Sequence, residues 1–210
     1  MINILIADDH PIIRYGLKQI ILNEQGMSVS GEAETASQVF DLLQKNEYDI
    51  LILDIGLPDF SGLEVLGKMK YIKPHLPVLV LSAMPEDLYA VRVIKAGASG
   101  YLNKNSATEN LIPAIKKIIS GKNYISPHLT ENLVSALKND KGEKTHDNLS
   151  PREFEILCLI GSGKTVKNIA EELCLGIPTV YTYRTRILEK MNLNHDSELV
   201  QYCIKEGIIL

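Results

Sequence analysis

The stretch Ile50-Leu-Ile-Leu-Asp54-Ile-Gly56-Leu-Pro58 decides the fold. Four apolar residues in a row, too few for a helix and lacking the alternation of a half-exposed strand, describe a short strand buried on both faces. It closes on a carboxylate, Asp54, and Gly56 and Pro58 then break the run. The same texture returns at Pro77–Ser82. Around these two, Asn3–Ala7, Ser28–Ala33 and Gly100–Leu102 complete a set of five expected strands. Helical patterns fill the intervals at Pro11–Asn23, Thr35–Lys45, Gly62–Ile72, Leu88–Ala96 and Thr108–Ser120. Strand and helix in alternation predict an α/β domain over residues 1–122, with a five-stranded, doubly wound parallel sheet.

Beyond Gly121 the pattern changes. Ser126-Pro127 starts a connecting helix that runs through Leu129, Leu133, Val134 and Leu137, and residues 139–148, NDKGEKTHDN, are polar and read as a flexible hinge. Residues 123–147 therefore form a linker. Ser150-Pro-Arg-Glu153 is a capping box that opens a second, all-helical domain over 148–210, with segments near 151–162, 166–173, 178–191 and 196–206.

The chain has 210 residues, 45% hydrophobic and 23% charged, which suits two small soluble domains. No apolar run is long enough to span a bilayer and Met1 leads into no signal-peptide pattern, so the expected location is cytoplasmic, with no membrane partner. Cys158, Cys174 and Cys203 lie in apolar helical patterns without metal-site spacing and read as buried thiols. The net charge is −4, and residues 148–210 carry seven Lys/Arg against eight Asp/Glu. A nucleic-acid contact in that domain must come from where its cations stand, because the bulk charge does not supply it.

Chemistry gathers at the strand ends. The first strand ends in Asp8-Asp9, the third in Asp54 and the fourth in Ser82, and the fifth is followed by Lys104. In a parallel sheet these carboxyl ends share one edge. Three carboxylates there repel unless a hard divalent cation joins them, and Mg²⁺, which takes oxygen ligands and keeps waters, fits. Lys104 and Ser82 would complete a clamp for a phosphoryl group, with Asp54 the nucleophile that forms an acyl phosphate. Taken singly, Asp8-Asp9 is a helix cap, Lys104 a surface lysine, Ser82 a strand-end hydroxyl and Tyr101 a packing residue. Taken jointly, in order at successive strand ends, they are a site.

Asp8-Asp9, Asp54-Ile-Gly-Leu-Pro58 with Gly62, Leu81-Ser-Ala83 and Gly97-Ala-Ser-Gly-Tyr-Leu-Asn-Lys104 together resemble the receiver domains of response regulators. The resemblance implies a flavodoxin-like fold with Asp54 as phosphoacceptor. It places Mg²⁺ on Asp8, Asp9, Asp54 and the Gly56 carbonyl, and makes Lys104 the phosphate-pairing lysine, Ser82 the switch hydroxyl and Tyr101 the aromatic coupled to it. Asn105 departs from the pattern, since many receivers carry proline after the lysine.

In the second domain, Val166–Leu173, a turn at Cys174-Leu-Gly176 and Pro178–Met191 read as helix, tight turn, helix, with Gly176 permitting the turn. On the second of these helices Val180, Tyr183, Ile187 and Met191 share one face. Thr182, Thr185, Arg186 and Glu189 lie opposite, with Tyr181 at the edge. That outward face suits a DNA major groove, and Lys164, Lys167, Arg184 and Lys190 are candidates for phosphates. In the last helix Leu199, Val200, Cys203 and Ile204 suit either core or a dimer seam.

Leu149-Ser-Pro-Arg-Glu153, Ile169-Ala-Glu-Glu-Leu173, Thr179-Val180, Arg184 and Ile187-Leu-Glu-Lys-Met191 are similar to the effector domain of the NarL/FixJ, LuxR-type family. Three positions depart from it: Pro178, Tyr181 where lysine is usual, and Tyr183 where histidine is common. The two resemblances imply a two-component transcription factor, not an enzyme. A partner histidine kinase would phosphorylate it, and it would dimerise when phosphorylated. Alternatives are a DNA-binding regulator that works without phosphorylation, a helical docking module, and an aspartate-nucleophile phosphatase. The phosphatases place a second Asp where this chain has Gly56.

Overall fold

The computed structural model describes residues 1–60, 62–83, 86–125, 145–173 and 175–209. The expected connecting helix at 126–137, the first part of the expected hinge and Cys174 lie outside the described residues. Two compact units are present, Met1–Asn139 and Asp140–Leu210.

The first unit alternates strand and helix: β1 (Ile2–Ala7), α1 (Pro11–Leu22), β2 (Met27–Ala33), α2 (Ala36–Lys45), β3 (Ile50–Asp54), α3 (Gly62–Ile72), β4 (Val78–Ser82), α4 (Glu86–Lys95), β5 (Gly100–Asn103) and α5 (Ala107–Ile119). All strands are parallel, in the order β2-β1-β3-β4-β5. This is the flavodoxin-like order, and its direction reverses between β1 and β3, where a crevice opens at the carboxyl ends. β3 and β4 are buried at every residue, which is why they carry no apolar alternation. One core packs Ile4, Ile6, Ile50, Ile52, Leu79 and Leu81 of the sheet against Leu17 and Ile21 of α1 and Leu111, Ile115 and Ile118 of α5. On the strands, alternation sends Leu5, Leu51, Leu53 and Val80 to the other face, where they are also fully buried.

The segment between Asp54 and α3 is held by a glycine. A Cβ on Gly62 would stand 2.7 Å from the Asp54 carbonyl oxygen and 2.7 Å from the Ile55 Cα, both backbone atoms that cannot move aside. The Gly62 N–H donates to the Ile55 carbonyl at 2.9 Å, so α3 begins in direct contact with the end of β3.

The second unit contains α6 (Pro151–Gly161), α7 (Val166–Glu172), α8 (Ile177–Met191) and α9 (Asp196–Lys205), with a short 3₁₀ turn at Thr145–Asn148 before them. The capping box forms as expected: the Ser150 hydroxyl accepts from the Glu153 N–H, and the Glu153 carboxylate accepts from the Ser150 N–H at 2.6 Å. Arg152, 7% exposed, donates to Glu155 and to the Leu173 carbonyl, pinning α6 to the end of α7. Two expectations need correction. Residues 145–148 are not part of an open hinge, because His146 Nδ1 lies 2.8 Å from the Tyr202 hydroxyl and its ring packs on Phe154. Gly176 has φ −68° and ψ 140°, an extended N-cap that any residue adopts, so the turn does not depend on glycine there.

Replacing Gly62 with alanine is expected to destabilise the first unit by about 1–3 kcal/mol, the usual cost of forcing a methyl into filled space. Urea unfolding of Gly62→Ala followed by circular dichroism checks this. A midpoint equal to that of the parent chain would mean that the contact relaxes freely.

Candidate functional site

Asp8, Asp54 and Ser82 are 1%, 5% and 3% exposed, an unusual burial for polar strand ends. Asp8 and Asp9 end β1 and Asp54 ends β3, so the acids meet across the switch point. Lys104 begins a 3₁₀ turn after β5, two strands from β3, a span of about 10 Å at normal strand spacing. Only a long side chain covers that distance, and β4 ends between them in the small Ser82. The Lys104 ammonium reaches Oδ2 of both Asp8 and Asp54 at 2.7 Å. Its turn is set by Asn103, whose side chain accepts from the Asn105 N–H at 2.9 Å, and the described residues contain no cis peptide bond.

Electrostatics in this crevice are tense. Burial pushes the Asp54 carboxyl above its ordinary range, and repulsion from Asp8 adds to that, against the pull of Lys104 and the Gly56 N–H. Burial also works against the charge of Lys104, yet the two carboxylates outweigh it and raise its pKa. The Asp8, Asp9, His10 and Asp54 donor atoms lie within 4.8 Å of one another. Asp8 Oδ2 and Asp9 Oδ1 are buried and meet no well-aligned hydrogen bond, although Lys104 Nζ and His10 Nδ1 stand 2.7 and 2.6 Å away. Buried carboxylate oxygens of hard character, converging from two strand ends, fit Mg²⁺. Gly56 leaves the space open, since even a Cβ there would come no closer than 3.6 Å to the Asp54 carboxylate. Tyr101 is fully buried and hydrogen-bonded to Ser82, and burial raises its pKa.

The sequence reading missed two tethers. Arg14, on α1, is 8% exposed and donates to the Asp8 carbonyl at 2.6 Å and to Glu34. Its signal was present: Arg14, Leu17 and Ile21 share the buried face of α1, and a cation there needs partners. Asp59, five residues after Asp54, caps α2 from outside by accepting from the N–H groups of Ala36 at 2.8 Å and Ser37 at 2.9 Å. These bonds outweigh burial and hold the Asp59 carboxyl below its ordinary range.

In the second unit, α8 buries Val180, Ile187, Leu188 and Met191. Tyr183 is only half-buried, whereas Tyr181, Thr182, Thr185, Arg186 and Glu189 are exposed. The Thr182 and Thr185 hydroxyls donate to the carbonyls of Pro178 and Tyr181, each at 3.0 Å, which fixes both side chains on the exposed face. Three of the cations expected on phosphates stand in ion pairs within the unit. Arg184 pairs with Asp196 at 2.7 Å, Lys190 with the buried Glu153 at 2.6 Å, and Lys164 with Glu172. The first two tie α8 to α9 and to α6. Lys167 stands 4.0 Å from Glu171 on the surface of α7. In α9, Leu199 and Cys203 belong to the core, whereas Ile204 is 59% exposed.

A lysine-bridged acidic crevice at the switch point of such a sheet, followed by a helix-turn-helix unit, is the architecture of a signal-controlled regulator. Residues 4–116 match the response regulator receiver domain family, and residues 147–203 match the bacterial regulatory proteins of the luxR family. The chain belongs to the response regulators of this NarL/FixJ type, transcription factors that join a receiver to a LuxR-type DNA-binding domain. It is 31% identical to the response regulator GacA of Pseudomonas aeruginosa over 210 residues, covering 100% of this chain and 98% of that one. It is 32% identical to the response regulator UvrY of Escherichia coli K12, covering 99% and 96%. Among solved structures, the Salmonella typhimurium response regulator RcsB aligns with a TM-score of 0.62 at 26% identity, covering 96% of this chain and 98% of that one. RcsB bound to the promoter rprA with the phosphomimetic BeF₃⁻ aligns at 0.64, with 26% identity and the same coverage. No helix among the described residues is long and apolar enough to cross a membrane.

Glu153 supports a pH prediction. Its folded pKa is lowered, because the bonds from Lys190 and Ser150 outweigh its burial. Its contribution to stability is therefore complete above its unfolded value of about 4.3 and is lost as pH falls through the lower folded value. The melting-temperature gap between the parent chain and Glu153→Gln should be widest near neutrality and close on acidification. A gap that stays constant with pH would show that the charge of Glu153 is irrelevant.

Proposed function

We propose that Asp54 accepts a phosphoryl group from a partner histidine kinase and that this modification governs DNA binding by α8. The observation that carries the reading is the Lys104 ammonium, held 2.7 Å from both Asp8 and Asp54 at the mouth of the crevice. In the transfer, an Asp54 oxygen forms a bond to phosphorus as the phosphorus–nitrogen bond of a phosphohistidine breaks, and the imidazole departs with the electron pair. Lys104 pairs with a phosphoryl oxygen, the Ser82 hydroxyl donates to another, and the hydrogen bond between Ser82 and Tyr101 gives that movement a route into the core. Asp8, Asp9, Asp54 and the Gly56 carbonyl would hold Mg²⁺, which supplies neutralising charge for the phosphoryl oxygens. The chain is a phosphoprotein switch and not a turnover enzyme, since Gly56 stands two residues after Asp54, where aspartate-nucleophile phosphatases carry their second Asp. It works in the cytoplasm, where its DNA is.

On the DNA side, Tyr181, Thr182, Thr185 and Arg186 face base edges, and Lys167 faces phosphate. Arg184 and Lys190 serve as girders that set the angle of α8, and Lys164 braces α7 through Glu172. The protein acts as a homodimer when phosphorylated, with the exposed Ile204 on α9 at the seam.

Incubation with acetyl phosphate and Mg²⁺ should add one phosphoryl group to the parent chain and none to Asp54→Asn, by intact mass, with a shift toward dimer on size exclusion. Absence of an adduct, with kinase also present, would favour the phosphorylation-independent regulator. Arg186→Ala should weaken specific DNA binding roughly tenfold, and Lys167→Ala should lower the salt slope by about one. Lys190→Ala should instead lower the melting temperature and leave the slope unchanged. An equal loss of slope for the two lysine variants would put Lys190 back on the phosphate backbone.

A further inference from the structure

We infer that Arg14 is a positioning residue for the cation pocket, acting through the Asp8 main chain and not through its own charge. The inference rests on the Mg²⁺ reading above and concerns how this chain shapes that site.

The main chain of Asp8 is held at both of its flanking peptides. Its N–H donates to the Ala33 carbonyl at 3.1 Å, extending the ladder between β1 and β2 by one bond. Its carbonyl, which has left the ladder, accepts from Arg14 Nη1 at 2.6 Å in a buried bond. The peptide that joins Asp8 to Asp9 is thereby oriented, and with it the direction in which Asp9 leaves the strand. The Asp8 carboxylate accepts from the His10 N–H through Oδ1 at 2.8 Å, so the turn from β1 into α1 is built around these few bonds.

Arg14 is itself held. Its side chain is 10% exposed, and Nη2 donates to Glu34 in the turn after β2, with Glu32 at 3.9 Å from Nε. A planar guanidinium can bond a carbonyl with one nitrogen and a carboxylate with another, fixing their separation. Arg14 therefore ties the acidic turn to the end of β2, while α1 is anchored by Leu17 and Ile21 in the core. Without that fork the Asp8 carbonyl would be buried without a donor, and the peptide would rotate to find one. Asp9 would turn with it.

Charge and position make opposite predictions. A positive charge near a cation site repels the cation, so if Arg14 mattered only as a charge, removing it would tighten Mg²⁺ binding. If it positions the ligands, removing it weakens binding. Arg14→Lys isolates the two, because it keeps the charge and removes the fork.

The test is a Mg²⁺ titration of the full-length chain followed by thermal stabilisation, in the parent, Arg14→Ala and Arg14→Lys proteins, each referenced to its own melting temperature in EDTA. The expected result is a half-maximal Mg²⁺ concentration at least tenfold higher for Arg14→Ala and several-fold higher for Arg14→Lys, whatever the melting temperature in EDTA. Should Arg14→Ala fail to fold, Arg14→Lys decides alone. A midpoint equal to or below that of the parent in Arg14→Lys would overturn the proposal. A parent chain that Mg²⁺ does not stabilise would instead remove the Mg²⁺ reading on which it rests.

Discussion

The carboxyl edge of the receiver depends on one unequal meeting of charges: Asp8, Asp9 and Asp54 converge at a switch point, and a single ammonium from Lys104 bridges two of them. Sheet order makes this unavoidable. With β1 beside β3, two strands that end in acid end next to each other, and with β5 two places away the compensating cation must be long. Burial then raises the stakes, because in a low-dielectric crevice neither the repulsion nor the attraction is screened as it would be in water. The pocket is stable enough to fold and remains short of positive charge. A divalent ion and a phosphoryl group are partners suited to that deficit.

The DNA-binding unit uses charge in the opposite way. Its buried Glu153 is satisfied three times over, by its own capping box and by Lys190, and its Arg152 joins two helices through a carbonyl and a carboxylate. These groups are structural members whose loss would leave a partner stranded in the core. The receiver leaves its charges unresolved where chemistry is to happen, and the effector unit resolves them wherever geometry must be kept.

Much of this was legible in the sequence, for a physical reason. Strands buried on both faces become continuous apolar runs, so β3 and β4 were located to within a residue, and the polar residue that ends each run marked the site edge. Arg14 escaped notice because its partners, a backbone carbonyl and Glu34, leave no trace in local pattern; a cation aligned with Leu17 and Ile21 was the only sign. Asp59 escaped for a similar reason, since the helix it caps lies 22 and 23 residues earlier. The turn at 145–148 was read as open chain from its polar composition, which conceals that the His146 ring finds Phe154 and Tyr202 in three dimensions. The ion pairs of Lys164, Arg184 and Lys190 were not legible either, because a one-dimensional reading cannot say which carboxylate faces which cation.

The pairing of those three cations bears on how such a regulator finds its targets among the rest of a chromosome. Non-specific association with DNA is carried almost wholly by lysine and arginine displacing condensed counterions, and a genome offers millions of competing sites of that kind. Arg184, Lys190 and Lys164 are reachable from solvent yet already paired with carboxylates of their own unit, so a phosphate that engages them must displace an internal partner. Each such exchange lowers the gain from a non-specific contact, and less of the protein would then be sequestered on irrelevant sequence.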